Sequence, residues 1–435
     1  MPAICKLARQ RLHWLGLSVC LLTLAPEAAH SQDMREVRRT VRYLTSRHLH
    51  GRGYTHHGDQ RAAAFLARQF KSLGLVPFKS AAAYTQPFPL TVNTFPGRLA
   101  VTVDGHKLQP GQDFILAPES AGGRFTASVV YFDSLALGQE GARQQFLAQP
   151  LQAVALVLTQ PDYQRIQAQP LLAQKLGEAR ALVILVPGKL TASLAPRQVA
   201  QPKLLVAAPA WPHAARQITL VLDACLQENY RTQNVLGYIP GTARLDSLLV
   251  VTAHYDHLGE LGRHHFFPGA NDNASGTSML LQLARHLSQP SHRLRYTVVF
   301  IGFSGEEAGL LGSRYFTAHP LFPLDKVRFL LNLDLVGTGD TGATVVNGTL
   351  HPKEYQLLQQ LNTGPASVGP LSARGRAANS DHFPFSEAGV PAFFLYTRGG
   401  IAAYHDVDDR AETLPLTRYN ELFQLLSQFL THLAH

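Results

Sequence analysis

The sequence predicts an α/β sandwich with a smaller inserted module. Three observations lead there. After about residue 215, short apolar runs alternate with helix-period segments, the pattern of strands covered by helices. His, Asp and Glu follow the C-terminal ends of those runs, along the edge where open α/β sheets place ligand sites. Between 118 and 212 the texture changes to apolar runs separated by Gln- and Ala-rich stretches without clustered His, Asp or Glu.

Lys6, Arg9 and Arg11 precede a short apolar run at 15–24, and Ala29-His30-Ser31 offers small residues for cleavage before Gln32. This reads as a secretory leader over 1–31, pointing to a secreted or periplasmic location. From 33 to 76, Val37, Val41 and Leu44, then Ala62, Phe65, Leu66, Phe70 and Leu73, recur at helical spacing. Gly51-Arg52-Gly53 breaks the run, and Gly74 with Pro77 ends it. Short strands follow, as in Leu99-Ala100-Val101-Thr102-Val103 before the turn Asp104-Gly105. The expected division is a leader at 1–31, an N-terminal part of the main domain at 32–117, the insert at 118–212 and the site-bearing domain at 213–435. In that last part strands are expected at 248–253, 297–303, 329–333 and 392–396. Helices are expected at 275–287, 307–316, 354–361 and 416–433.

Composition narrows the function. A chain of 435 residues, 46% apolar and 16% charged, is globular and long enough for two domains. The net charge of +9 comes from scattered Lys and Arg, with no dense basic run. The reading is a solvated surface, not a nucleic-acid partner. No other apolar run approaches the ~20 residues of a membrane span, so no stable membrane insertion is expected. Of Cys5, Cys20 and Cys225, two fall in the leader. A thiolate cluster is therefore excluded, and any metal must be held by His and carboxylates. Oligomeric state has no signature here.

The chemistry concentrates at four strand ends. His254 ends the first expected strand, and Gly305-Glu306-Glu307 follows the second. Asp334 ends the third, and His405 lies in the loop after the fourth. Asn271-Asp272-Asn273 sits between the first two. Imidazole nitrogen and carboxylate oxygen are good ligands for Zn²⁺. A carboxylate shared by two ions would neutralise charge between them, and a free neighbour could take a proton. Arg374, Arg376 and Arg398 lie in loops expected to border the cleft, where they bind a substrate carboxylate or are simply solvated. His264-His265, His56-His57 and His432 read as surface residues.

With these segments in view, the chain resembles the co-catalytic zinc aminopeptidases of peptidase family M28. The resemblance is carried by Ala253-His254-Tyr255-Asp256-His257-Leu258-Gly259, Gly269-Ala270-Asn271-Asp272-Asn273-Ala274-Ser275-Gly276 and Gly305-Glu306-Glu307-Ala308-Gly309-Leu310-Leu311-Gly312-Ser313. It continues in Asn332-Leu333-Asp334-Leu335-Val336-Gly337, Ser380-Asp381-His382-Phe383-Pro384-Phe385 and Tyr404-His405. It covers roughly 233–420 and extends weakly to Leu49-His50-Gly51-Arg52-Gly53. It implies the zinc exopeptidase fold, a three-layer α/β/α sandwich on a mixed, mostly parallel sheet. The insert stands where many relatives carry a protease-associated domain, which it matches in texture.

The resemblance also implies roles. His254 and Asp334 would hold one Zn²⁺, Glu307 and His405 a second, with Asp272 bridging both. Glu306 would be the general base, and Asp256 would orient the His254 imidazole. The peptide bond after Asp272 would be cis. Tyr404 would steady an oxyanion or simply pack in the core. Asp381-His382 would start a helix near the cleft. The implied function is a secreted metallo-aminopeptidase acting on peptides. The alternatives are a single-zinc glutaminyl cyclase, a carboxypeptidase of the same superfamily, and a binding protein on a dead peptidase scaffold.

Overall fold

The computed structural model describes residues 32–79 and 83–435; the expected leader lies outside them. The expected apolar runs form an eight-stranded sheet. Its order is Thr85–Thr94, Cys225–Ile239, Tyr296–Phe303, Arg244–His254, Val327–Leu333, Ala392–Thr397, Ala343–Val346 and Leu371–Ala373. The four strands from Tyr296–Phe303 to Ala392–Thr397 run parallel. Antiparallel neighbours flank them on both sides. The parallel strands are nearly continuous in Val, Ile, Leu and Phe because helices cover both faces. Their apolar side chains divide between two buried clusters. One packs under Met34–Leu44, Gly58–Ser72, Gly276–Ser288 and Tyr419–Leu433; the other packs under Leu311–Ala318 and His382–Glu387.

The strand expectations in this part hold to within four residues at their starts. One helix differs. The expected helix from 307 begins only at Leu311. Residues 306–310 form turns in which the Gly309 and Leu310 amides both donate to the Glu306 carbonyl, and Leu310 has φ 62°. That excursion leaves Glu306 and Glu307 on a loop at the strand end instead of on a helix.

Strands from 99 to 222 build a second eight-stranded sheet that shares no strand with the first. Its order is His106–Leu108, Leu99–Val103, Gln217–Leu222, Gly123–Tyr131, Val154–Thr159, Ala181–Val186, Lys203–Ala207 and Phe114–Leu116. It thus draws on strands on either side of the 118–212 segment. The mixed sheet packs its own apolar clusters on two faces, one of them beneath Glu140–Ala148, Gln160–Gln167 and Pro170–Leu176. Among the described residues no helix is long and apolar enough to cross a membrane, and the free thiol is the exposed Cys225.

Candidate metal centre at the strand ends

Parallel strands with their C-terminal ends on one edge bring the sequence-distant residues together. His254 closes Arg244–His254, Glu306 and Glu307 follow Phe303, and Asp334 follows Leu333. His254 Nε2 lies 3.2 Å from Asp272 Oδ1 and 3.3 Å from Asp334 Oδ1. His405 Nε2 lies 3.1 Å from Asp272 Oδ2 and 2.9 Å from Glu307 Oε2. Asp272 therefore turns one carboxylate oxygen to each imidazole. The peptide bond Asp272–Asn273 is cis. One donor atom each from His254, Asp272 and Glu307 lies within 4.8 Å of the others, as does one each from His254, Glu306 and Asp334. Glu306 thus approaches the cluster as closely as a ligand would.

The electrostatics are those of a site short of positive charge. Burial alone would raise the Glu307 carboxyl, but the His405 and His257 imidazoles more than reverse this and hold it at about 2. Glu306 is pushed well above the usual carboxylate range by burial, reinforced by Asp334, Asp381 and Glu307 against the opposing pull of His254. Burial would lower the His405 imidazole, yet Glu307 and Asp272 carry it up to about 11. His254 is likewise driven up by Asp334 and Glu306 against its own desolvation. Like carboxylates this close oppose one another's ionisation, and a cation among them removes the conflict. The donors are imidazole nitrogens and carboxylate oxygens without thiolate, which suits Zn²⁺.

Several partners orient these groups. Tyr54 Oη donates to Asp256 Oδ2 at 2.6 Å, and the Glu306 amide reaches Asp256 Oδ1 at 3.3 Å. The Asp256 carboxylate is 3.7 Å from His254 Nδ1, whereas the Asp256 backbone carbonyl is closer at 3.2 Å. Asp256 so meets the ring mainly through its main chain, while its carboxylate supports the Glu306 turn.

Sequence reasoning missed five supports. His257 Nδ1 donates to Glu307 Oε1 at 2.6 Å. Ser380 Oγ donates to Asp334 Oδ2 at 3.0 Å and itself accepts from Asn332 Nδ2 at 2.8 Å. Asp409 accepts the Asn271 and Asp272 amides at 2.8–3.0 Å. Arg52, fully buried, donates to the carbonyls of Leu44, Tyr255, Pro268, Gly269 and Asp272. The Ala192 carbonyl receives His405 Nδ1 at 2.8 Å. His257 stands three residues past His254, the one signal that could have singled it out.

The remaining expectations separate cleanly. Tyr404 is 51% exposed and stacks on the His405 ring, so it is not a core residue. It lines a pocket of about 230 Å³ together with Asp272, Glu306, Asp334 and His405. Arg374 lines the same pocket and bonds Tyr396 Oη at 3.1 Å. Arg376 instead pairs with Glu387, and Arg398 donates to the Pro370 carbonyl. Asp381 stands just before the helix His382–Glu387 and is bonded by Ser313 Oγ at 2.6 Å. His382 is buried, its ring centroid 5.4 Å from that of Phe394. His264, His265, His56, His57 and His432 are exposed.

An α/β sandwich whose strand ends gather imidazoles and carboxylates around one pocket is a scaffold able to hold metal ions at that edge. Residues 234–430 match the family model described as peptidase family M28. Aminopeptidase YwaD of Bacillus subtilis (strain 168) is 33% identical over 222 residues, 49% of this chain and 46% of its own. The chain spans about half the length of the curated relatives it matches. Among solved structures, the zinc aminopeptidase BSAP from Bacillus subtilis superposes with a TM-score of 0.68 at 22% identity, covering 92% of this chain and 94% of that one. The aminopeptidase from Aneurinibacillus sp. strain AM-1 gives a TM-score of 0.64 at 20% identity, covering 93% and 95%. These likenesses show the fold.

Proposed function

We propose that this protein is a zinc-dependent aminopeptidase that removes the N-terminal residue of peptides, holding two Zn²⁺ per chain. The observation that carries the reading is the Asp272 carboxylate, set between His254 and His405 with one oxygen to each. His254 and Asp334 would hold one ion, Glu307 and His405 the other, and Asp272 both. Bound zinc would supply Lewis-acid activation of water and of the scissile carbonyl. The chain's own residues do the rest. Glu306, on the strand-end loop in the pocket, accepts the proton of the attacking water and delivers it to the leaving amine. Burial and the neighbouring carboxylates raise its affinity for protons, the direction that suits a group that takes up a proton. Tyr404, exposed at the pocket wall, would donate its hydroxyl to the developing oxyanion. The reading of residues 1–31 as a leader supports export, and a mature N-terminus at Gln32 is the outcome that checks it.

The function is tested by a panel of amino-acid amides, N-blocked peptides, peptides with a free C-terminus and N-terminal Gln peptides, assayed with and without chelator. Turnover of free-amine substrates, lost on N-blocking and on chelation, is expected, with two zinc ions per chain by titration. Cyclisation of Gln peptides with one ion per chain would replace the proposal by a cyclase. Cleavage of N-blocked peptides only when their C-terminus is free would replace it by a carboxypeptidase.

A further inference from the structure

His405 lies on the long loop that follows strand Ala392–Thr397, eight residues beyond the strand's last residue. Residues 398–404 carry Gly399 and Gly400, both at positive φ, and His405 itself has φ 54°. A loop of this kind does not by itself hold an imidazole in one orientation. The restraint comes from the second sheet. The connection between strands Ala181–Val186 and Lys203–Ala207 leaves that sheet and runs to the His405 loop. His405 Nδ1 lies 2.8 Å from the Ala192 carbonyl, and the Ala192 amide donates back to the His405 carbonyl at 3.2 Å. A carbonyl only accepts, so Nδ1 carries the hydrogen. The lone pair of the neutral ring is then on Nε2, the atom facing Asp272 and Glu307.

Three residues earlier in the same connection, Lys189 grips the loop on both sides of His405. Its Nζ donates to the Ala402 carbonyl at 2.8 Å and to the Tyr404 carbonyl at 2.7 Å, and lies 3.4 Å from Asp406 Oδ2. Between these polar ties, Leu190 and Ala192 are buried with Leu258, Leu261 and Phe267, and Val407 packs against them. The far end is moored as well: the Asn93 amide donates to the Ala195 carbonyl at 2.8 Å, and Gln198 Nε2 donates to Asn93 Oδ1 at 2.8 Å.

We propose that the 187–202 connection is a positioning device for His405, with Lys189 as its clamp, so that the second sheet sets the affinity for the ion shared by His405, Glu307 and Asp272. The affinity statement rests on the two-zinc reading above; the clamp does not. Lys189→Met keeps the aliphatic stem and removes the ammonium, and Lys189→Arg keeps the charge. In chelated protein, amide hydrogen exchange over 402–408 should accelerate by about tenfold or more in Lys189→Met, with the first-sheet strands unchanged and Lys189→Arg near wild type. In a zinc titration, Lys189→Met should bind one of the two ions about 10–100-fold more weakly, the range for lost supporting contacts, and the other normally. Unchanged exchange over 402–408, or equal weakening of both ions, overturns the proposal. A wild-type protein that takes up no zinc sinks the metal reading instead, and the exchange comparison still decides the clamp.

Discussion

Glu306 and Glu307 are adjacent in the chain yet sit in opposite environments. Glu307 is held at about 2 despite its burial because two imidazoles face it, while Glu306 is pushed well up by burial and by like charges. On the proposed two-zinc reading, this contrast fits Glu307 as a ligand and Glu306 as the base, and the following outcomes are expected on that reading. Glu306→Gln should keep both zinc ions and bind substrate, yet lower kcat by ~10²–10⁴-fold. Glu307→Ala should lose zinc along with activity. Metal analysis beside steady-state kinetics separates the two, and a Glu306→Gln enzyme that loses zinc would make Glu306 a ligand. Ser380 offers a gentler probe. Without its bond to Asp334 Oδ2, Ser380→Ala should weaken zinc by roughly 10–100-fold in a competition titration with a chelator. A pH effect is expected at His382, whose ring burial lowers to about 4. A depressed imidazole contributes stability that is fully present above the unfolded value near 6.5 and is lost as pH falls through 4. His382→Phe should therefore remove up to ~3 kcal/mol of acid sensitivity between those values. Urea unfolding of the chelated proteins measures it, and identical pH slopes for variant and wild type would refute it.

At the scale of elements, the decisive segment is 269–275, which carries Asp272 into the helix Gly276–Ser288. It is clamped from two sides. Arg52 donates to the carbonyls of Gly269 and Asp272, while Asp409 accepts the amides of Asn271 and Asp272. Gly269 has φ 62°, and a Cβ there would lie 2.1 Å from the Asp272 carbonyl oxygen, so no larger residue fits. The five Arg52 bonds match the five N–H donors of a guanidinium, which accounts for a buried cation without a carboxylate contact. Burial lowers it only to about 10, so it remains charged at neutral pH. Arg52→Met leaves those carbonyls unpaired, at ~1–3 kcal/mol for each that water cannot reach. A loss of at least ~3 kcal/mol in zinc-saturated urea unfolding is expected; a loss under ~1 kcal/mol would mean that water replaces the guanidinium.

At the scale of the whole molecule, the first sheet supplies the groups that would hold metal and the second reaches over to steady one of them. Zinc that binds only the folded chain stabilises it by about 2.7 kcal/mol per site at a hundredfold excess over Kd. Chelation should therefore lower Tm measurably, and zinc should restore it where magnesium, which favours all-oxygen octahedral sites, does not. A Tm indifferent to chelator in a protein shown to bind two ions would imply equal binding to the unfolded chain. The second sheet should also melt with the first, because Lys189, Leu190 and Ala192 tie it to the His405 and Leu258 segments. Two separate transitions by calorimetry would contradict that coupling.

The features legible in the chain alone were local ones. Apolar runs bounded by turn residues located the four parallel strands, and the residue types at their ends located His254, Glu306, Glu307 and Asp334. Strand ends are legible because the period-2 and period-3.6 patterns are properties of neighbouring residues. The helix expected at 307 was misplaced because Leu310 adopts a left-handed conformation that no periodicity reports. The supporting groups were decided only by tertiary structure. Ser380 reaches Asp334 across 46 positions, Arg52 reaches Gly269 across 217, and Ala192 meets His405 from another sheet across 213. Such contacts depend on strand order and on the path of connections between strands. A serine, a buried arginine or an alanine carbonyl has no distinguishing mark in the chain. Each acquires its role from the direction in which the assembled fold points it.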